Sequence, residues 1–269
     1  MKLGFIGVGN LATAILRGVV AAEEIPAKEI IIYDINSDKL SQLQEELNVN
    51  IAQNANEVAK KCEYVVVAVK PKDFELLAKN IGEEIRLNDA VVISTAAGTH
   101  LEKIRTYFGF DVKTVRIMPN INAAVGESMT ALCVSENVTY AEKEFAMNLC
   151  SYFGRVVELE EKYFSAFTAI AGSAPAFAYM FADSLANAGV KYGIPAKTAQ
   201  DIAAQMLFGS AKQLLESPLT VSELIRNVCS PGGTTIEGVC SLKETGFENS
   251  VITAVDKTVE KDRLMSASK

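Results

Sequence analysis

Two stretches of this chain place glycines just before a helix, and each could hold an anion on backbone N–H groups. The first is Leu3-Gly4-Phe5-Ile6-Gly7-Val8-Gly9-Asn10-Leu11-Ala12, an apolar run entering G-x-G-x-x-A. Gly7 permits the tight turn, Gly9 lets a pyrophosphate approach the backbone, and Ala12 lets the next helix pack closely on the strand. The helix amino terminus then offers free N–H groups to phosphates. Its place between a strand and a helix, inside a strand–helix–strand unit, predicts dinucleotide binding. The second stretch is Cys229-Ser230-Pro231-Gly232-Gly233-Thr234-Thr235. It combines a flexible backbone, two threonine hydroxyls and a helix beginning near Thr235, which makes another anion cradle. A substrate carboxylate held there could face a nicotinamide.

Other candidates sit where strands should end. Asp34 follows Ile30-Ile31-Ile32-Tyr33, somewhat further from Gly7 than the roughly 20 residues of the dinucleotide fingerprint. A carboxylate there accepts from the adenosine ribose hydroxyls and repels a 2′-phosphate. Only Asn36, Ser37 and Lys39 follow to meet a phosphate, so local chemistry favours NAD(H) over NADP(H). The alternative for Asp34 is a cap at the strand–helix turn. Ala68-Val69-Lys70-Pro71, Thr95-Ala96-Ala97-Gly98 and Met118-Pro119-Asn120 should line the same crevice, with Lys70 supplying a cation or donor. His100, the single histidine, reads as structural or solvated. A single His excludes multi-histidine zinc sites and most His-paired nucleophiles other than those that use His100.

The elements that must position these residues change character near residue 160. Before it, Leu3–Ile6, Ile30–Tyr33, Tyr64–Val69, Val91–Ser94 and Thr114–Ile117 read as strands. Helical patterns lie between them over 11–22, 38–47, 56–61, 74–81 and 101–108. Asn54 with Glu57 predicts a capping box for the third helix. Ala131–Val134 and Arg155–Glu158, with a helix between, extend the sheet at an edge. Such alternation predicts a doubly wound parallel sheet covered on both faces, an α/β fold. After Glu160 the pattern is all-helical: 163–171, 175–191, 196–216, 221–228, 235–244 and 247–265. In the third of these, Ala199, Ile202, Ala203, Met206, Leu207, Ser210 and Leu214 form one stripe expected to be buried. Gly189, Gly193 and Pro195 are expected to stop one helix and start the next. The domains are therefore 1–160 and 161–269, and the second is apolar enough to pack on another copy of itself.

Length and composition agree: 269 residues, 49% apolar and 22% charged, make one large or two modest globular domains. The net charge of −7 disfavours nucleic acid as a partner. The five cysteines form no C-x-x-C pair, which predicts reduced thiols at or near the core of a cytoplasmic protein. No signal peptide is read at the start. Tyr163 to Ala182 carries no charge and has the length of a membrane span, but it is rich in Ala with Gly172-Ser173-Ala174-Pro175 in its middle. That composition predicts two closely packed helices in protein and no membrane.

The chain resembles the pyrroline-5-carboxylate reductases almost end to end. The resemblance rests on Phe5–Ala12, on Ala68-Val69-Lys70-Pro71, on Arg116-Ile117-Met118-Pro119-Asn120, on Ala171–Ala176 and above all on Ser230–Thr235. It implies reduction of the cyclic imine 1-pyrroline-5-carboxylate to L-proline by NADPH or NADH, the last step of proline biosynthesis. It also implies an amino-terminal Rossmann domain and an all-helical dimerisation domain. Family members form homodimers, often assembled into decamers. By resemblance, Gly7, Gly9, Asn10, Leu11, Ala68, Lys70 and Ala97 line the cofactor, and Met118, Pro119 and Asn120 approach its nicotinamide end. Gly232, Gly233 and Thr234, after Ser230, hold the substrate carboxylate, and Thr235 hydrogen-bonds the imine nitrogen as the catalytic hydroxyl. Two departures stand out. Many members have a neutral or hydroxyl residue at the place of Asp34, which suits NADP(H). The family asparagine near the third helix aligns close to Ala55, between Asn54 and Asn56. Rival readings are a related imine reductase or β-hydroxyacid dehydrogenase, and a non-catalytic NAD(P) sensor, which would have no use for Ser230–Thr235.

Overall fold

The computed structural model describes residues 1–267; Ser268 and Lys269, the end of the expected second domain, lie outside them. Short apolar runs form β1 (Leu3–Ile6), β2 (Ile30–Tyr33), β3 (Asn50–Ile51), β4 (Tyr64–Val67), β5 (Val91–Ser94), β6 (Thr114–Met118), β7 (Ser128–Val134) and β8 (Gly154–Glu158). They make one eight-stranded sheet in the order β3-β2-β1-β4-β5-β6-β7-β8. The helices among them are α1 (Asn10–Ala21), α2 (Ser37–Leu47), α3 (Ala55–Lys61), α4 (Pro71–Leu87), α5 (Leu101–Phe108) and α6 (Tyr140–Ser151). Alternate strand residues enter different apolar layers: Leu3, Phe5, Ile30, Ile32 and Val66 one, Ile6, Ile31, Val65, Val67 and Val92 the other. Both faces are covered, which is why the strands read as unbroken apolar runs.

The doubly wound sheet matches the expectation, with one departure from parallel order. β7 runs antiparallel to β6, and β8 parallel to β7. A single 3₁₀ turn, Ile121–Val125, links β6 to β7 and is too short for a crossover, whereas α6 supplies one to β8. Asn54 caps α3 by accepting from Glu57 N at 2.9 Å, but Glu57 accepts in return from Gln53 N at 2.7 Å, not from Asn54.

Packing divides the chain later than the sequence pattern changes. Residues 1–172 with 259–267 form one unit, and Ser173–Thr258 form another. The segment after Glu160 explains the difference. A 3₁₀ turn (Glu161–Tyr163), α7 (Phe164–Phe167) and a π-helical stretch (Thr168–Ser173) run into α8 (Ala174–Lys191). Phe164, Phe167 and Ala171 pack on Met118, Ala131 and Cys133. The two separate helices expected across Gly172–Pro175 are thus one helical run that changes geometry rather than breaking. The run 161–191 is long and apolar enough to cross a membrane, and 17% of its most apolar window is buried within this chain.

The second unit is built from α8, α9 (Ala196–Glu216), α10 (Val221–Val228), α11 (Thr234–Glu244) and the first part of α12 (Phe247–Ala267). Gly189 does not stop α8. It lies inside the helix, where a Cβ would meet the Ala199 Cβ at 3.1 Å, so it lets α9 approach. Gly193 and Pro195 turn the chain between the two helices. The stripe expected to be buried on α9 is mostly open. Ala199 and Ala203 are buried, Leu207 is half-buried, Ser210 is exposed, and Ile202, Met206 and Leu214 are 55%, 41% and 48% exposed. An apolar stripe left uncovered by its own chain is suited to covering by another. Cys62, Cys133 and Cys150 are buried as expected, and burial pushes each thiol up to about 12. Cys229 is half-buried and Cys240 exposed, because both belong to this open helical unit rather than to the sheet core.

Candidate active site

Parallel pairing of β2, β1, β4, β5 and β6 puts the carboxyl ends of all five strands at one edge of the sheet. Gly7, Asp34, Ala68, Lys70, Ala97 and Asn120 all follow those ends, so the topology collects them in one place. Gly7 is held by its N–H donating to Tyr33 O at 2.8 Å, with φ +89, and a Cβ would lie 2.9 Å from Ala68 O. Ala68 is fixed in turn by its N–H donating to Ile6 O at 2.9 Å. At Gly9 a Cβ would meet nothing within 4 Å, so the space over the loop is open. Gly9 begins α1 without a side-chain cap, and no acidic residue stands in the first turn. The N–H groups at Asn10 and Leu11 are therefore available to an anion, and the loop fits a dinucleotide pyrophosphate.

Asp34 does something sequence reasoning missed. Its Oδ2 accepts from Val8 N at 2.7 Å and its Oδ1 from Asn36 N at 3.0 Å, while Asn36 caps α2 by accepting from Lys39 N at 3.1 Å. The carboxylate clips the glycine loop to the end of β2. Asp34→Ala would leave the N–H of fully buried Val8 without a partner, at a cost of about 1–3 kcal/mol. The expected result is a KM increase of about 10-fold for NADH and NADPH alike in steady-state assays. A rise confined to NADH would mean that Asp34 reads the ribose instead.

Lys70 is exposed, stands at the amino end of α4, and has no ion-pair partner among the described residues. Ala97 is exposed beside Gly98 at φ +68. Asn54 is occupied as a cap, and Asn56 reaches Asn80 Oδ1 at 3.4 Å. Met118 and Asn120 are each only 7% exposed. Asn120 donates from Nδ2 to Ala171 O at 2.9 Å and accepts at Oδ1 from Asn122 N at 3.1 Å, so both ends of its amide are engaged inside the protein.

An ionic group built on a buried cation and partly exposed partners lies behind this strand end. Arg116, on β6, is 2% exposed. Its Nη1 donates to Glu161 Oε1 at 2.7 Å and lies 3.2 Å from His100 Nδ1. Arginine has only donors, so this contact makes His100 Nδ1 the acceptor and gives its neutral ring the Nε2–H form. Glu161 Oε1 also accepts from Leu101 N at 2.9 Å, and the guanidinium carbon stands 4.4 Å from the Phe164 ring centroid. Arg116 Nε is buried without a hydrogen-bond partner among the described residues. The signal for this group was an arginine in an otherwise apolar strand. Glu161, its partner, gave none.

The second glycine loop lies in the helical unit. Gly233 N–H donates to Ser230 O at 3.0 Å across Pro231 and Gly232, the latter at φ +67, the Pro-Gly pattern of a type II turn. A Cβ on Gly233 would fall 2.2 Å from Ser230 Oγ. Gly233 starts α11 without a side-chain cap. The unengaged donors thus begin at Thr234 rather than at Gly233, and no hydrogen bond engages the Thr234 or Thr235 hydroxyl among the described residues. Among those residues no cluster of His, Cys, Asp and Glu could hold a metal.

A covered, mostly parallel sheet with a glycine loop at the carboxyl ends of its strands, followed by helices carrying a second anion-friendly loop, is the arrangement of a dinucleotide-dependent oxidoreductase. Residues 2–98 match the family model described as NADP oxidoreductase coenzyme F420-dependent, and residues 161–265 that described as pyrroline-5-carboxylate reductase dimerisation. The pyrroline-5-carboxylate reductase of Escherichia coli is 36% identical over 267 residues, covering 99% of both chains. That of Aquifex aeolicus is 36% identical over 261 residues, 97% of this chain and 96% of its own. The crystal structure of Plasmodium falciparum pyrroline carboxylate reductase with NADP bound superposes with a TM-score of 0.88 at 30% identity, covering 99% of this chain and 98% of that one. The chain belongs to the pyrroline-5-carboxylate reductase family.

Proposed function

We propose that this protein reduces 1-pyrroline-5-carboxylate to L-proline, the last step of proline biosynthesis, using NADPH or NADH. What carries the reading is full-length kinship with named reductases, together with two uncapped helix starts whose N–H groups are free to take anions. The reduced nicotinamide, when bound, supplies the hydride. Everything else falls to the chain. Gly7, Gly9, Asn10 and Leu11 hold the pyrophosphate on backbone N–H groups, with Asp34, Ala68, Lys70 and Ala97 around it. Met118 and Asn120 form the wall at the nicotinamide end. Ser230, Gly232, Gly233 and Thr234 shape the carboxylate cradle, and Thr235 hydrogen-bonds the imine nitrogen.

A cyclic imine takes up a proton near neutral pH, so no strong general acid is needed. Orienting the imine carbon and guiding one proton to nitrogen are enough. Residues 1–160 carry the cofactor in this reading. Residues 161–269 supply dimerisation and the substrate loop, and the open stripe on α9 is covered by a second copy. The assembly is a cytoplasmic homodimer, or a decamer of five dimers. The test is oxidation of NADH and of NADPH by purified protein with and without the imine. Imine-dependent oxidation accompanied by proline formation supports the reading. Oxidation with hydroxyacid-derived ketones instead of the imine refutes it.

A further inference from the structure

A buried arginine on β6, paired with a half-buried glutamate, is not the arrangement that stability alone favours. A cation within a sheet must be stripped of water, and Arg116 Nε gains no acceptor in return among the described residues. What the group secures is position. Arg116 to Glu161 fixes the start of the helical run on the sheet, and Asn120 to Ala171 fixes it again just before α8. Met118 lies between these two bonds in sequence and packs in the same cluster as Phe164, Phe167 and Ala171. Apolar contacts alone tolerate small slides. Two directional bonds, one at Glu161 and one at Ala171, do not. The same Glu161 oxygen also holds Leu101 N, the first helical residue of α5, which ties the loop after β5 to the same point.

We propose that Arg116 and Glu161 are positioning residues for hydride transfer. They touch neither cofactor nor substrate, but set the strand end Met118–Asn120 against which the nicotinamide ring rests. This rests on the reductase reading above. A shift of about 1 Å at a reacting centre costs on the order of 10²-fold in rate.

The test compares wild type with Glu161→Gln and with the double variant Arg116→Met plus Glu161→Leu. Glu161→Gln keeps an oxygen for Leu101 N–H and leaves the guanidinium without its counter-charge. The double variant replaces the ion pair with apolar atoms, a change that ion pairs inside proteins often tolerate, and it also takes the acceptor from Leu101 N–H. Thermal melting establishes that each variant is folded, and the double variant carries the test alone if Glu161→Gln does not fold. Imine reduction is then measured with reduced cofactor bearing hydrogen or deuterium at C4. The expected result is a kcat lower by about 10- to 100-fold, a cofactor KM within about threefold of wild type, and a larger deuterium isotope effect as hydride transfer becomes slower. A folded variant with wild-type kcat and isotope effect, altered only in melting temperature, overturns the proposal. A wild type that turns over no imine refutes the reductase reading itself, a separate outcome.

Discussion

Thr235→Ala is expected to lower imine turnover by about 10²–10⁴-fold while leaving the KM for reduced cofactor near that of wild type. Threonine hydroxyls at other helix ends of this unit are engaged within the fold. Thr220 joins a capping box with Glu223, and Thr245 donates to Ser241 O. Thr235, in the first turn of α11, has no such bond among the described residues and is half-buried beside an uncapped helix start. Its hydroxyl can therefore serve a ligand without breaking the fold. Removing it deletes a donor and acceptor at the second glycine loop and leaves the residues of the loop that follows β1 unchanged. Single-turnover rates at saturating cofactor, with cofactor affinity measured by fluorescence, separate the two quantities. Unchanged turnover would remove Thr235 from the mechanism.

Gly7→Val should act on the other half of the reaction. Gly7 holds φ +89, which costs a β-branched residue about 1–2 kcal/mol or more. Its Cβ would also lie 2.9 Å from Ala68 O, a backbone atom held in the sheet edge. Neither partner can move without displacing Tyr33 O or Ile6 O from its hydrogen bond. The loop must then rise from the strand end, carrying Val8 away from Asp34 and turning the N–H groups of Asn10 and Leu11 off the pyrophosphate. Affinity for NADH and NADPH should fall together by on the order of 10²-fold, with a lowered melting temperature. Isothermal titration with each cofactor measures this. Wild-type affinity in the folded variant would show that the loop does not hold the dinucleotide.

The two substitutions test features that differed in how plainly the sequence displayed them. Gly7, Gly9 and Ala12 were legible because a turn with positive φ, an open approach and a tight helix–strand contact each demand a small residue locally. The strands β1, β2 and β5 were legible to the residue, since a strand buried on both faces is apolar at nearly every position. β3 was not, because two residues carry no period. Asp34 was rightly placed at the end of β2, yet its partner, Val8 N, lies on a neighbouring strand's loop and becomes its neighbour only once β1 and β2 pair.

Local chemistry in the sequence thus determined the covered sheet, the two glycine loops and the change to helices, since turn geometry and strand burial constrain residue types one position at a time. Only the tertiary structure decided that Arg116 meets Glu161 and His100, that Asn120 turns inward to Ala171, and that the α9 stripe stays open. Those outcomes depend on which distant segments pack together, and a buried polar group is specified by a partner that sequence spacing does not name.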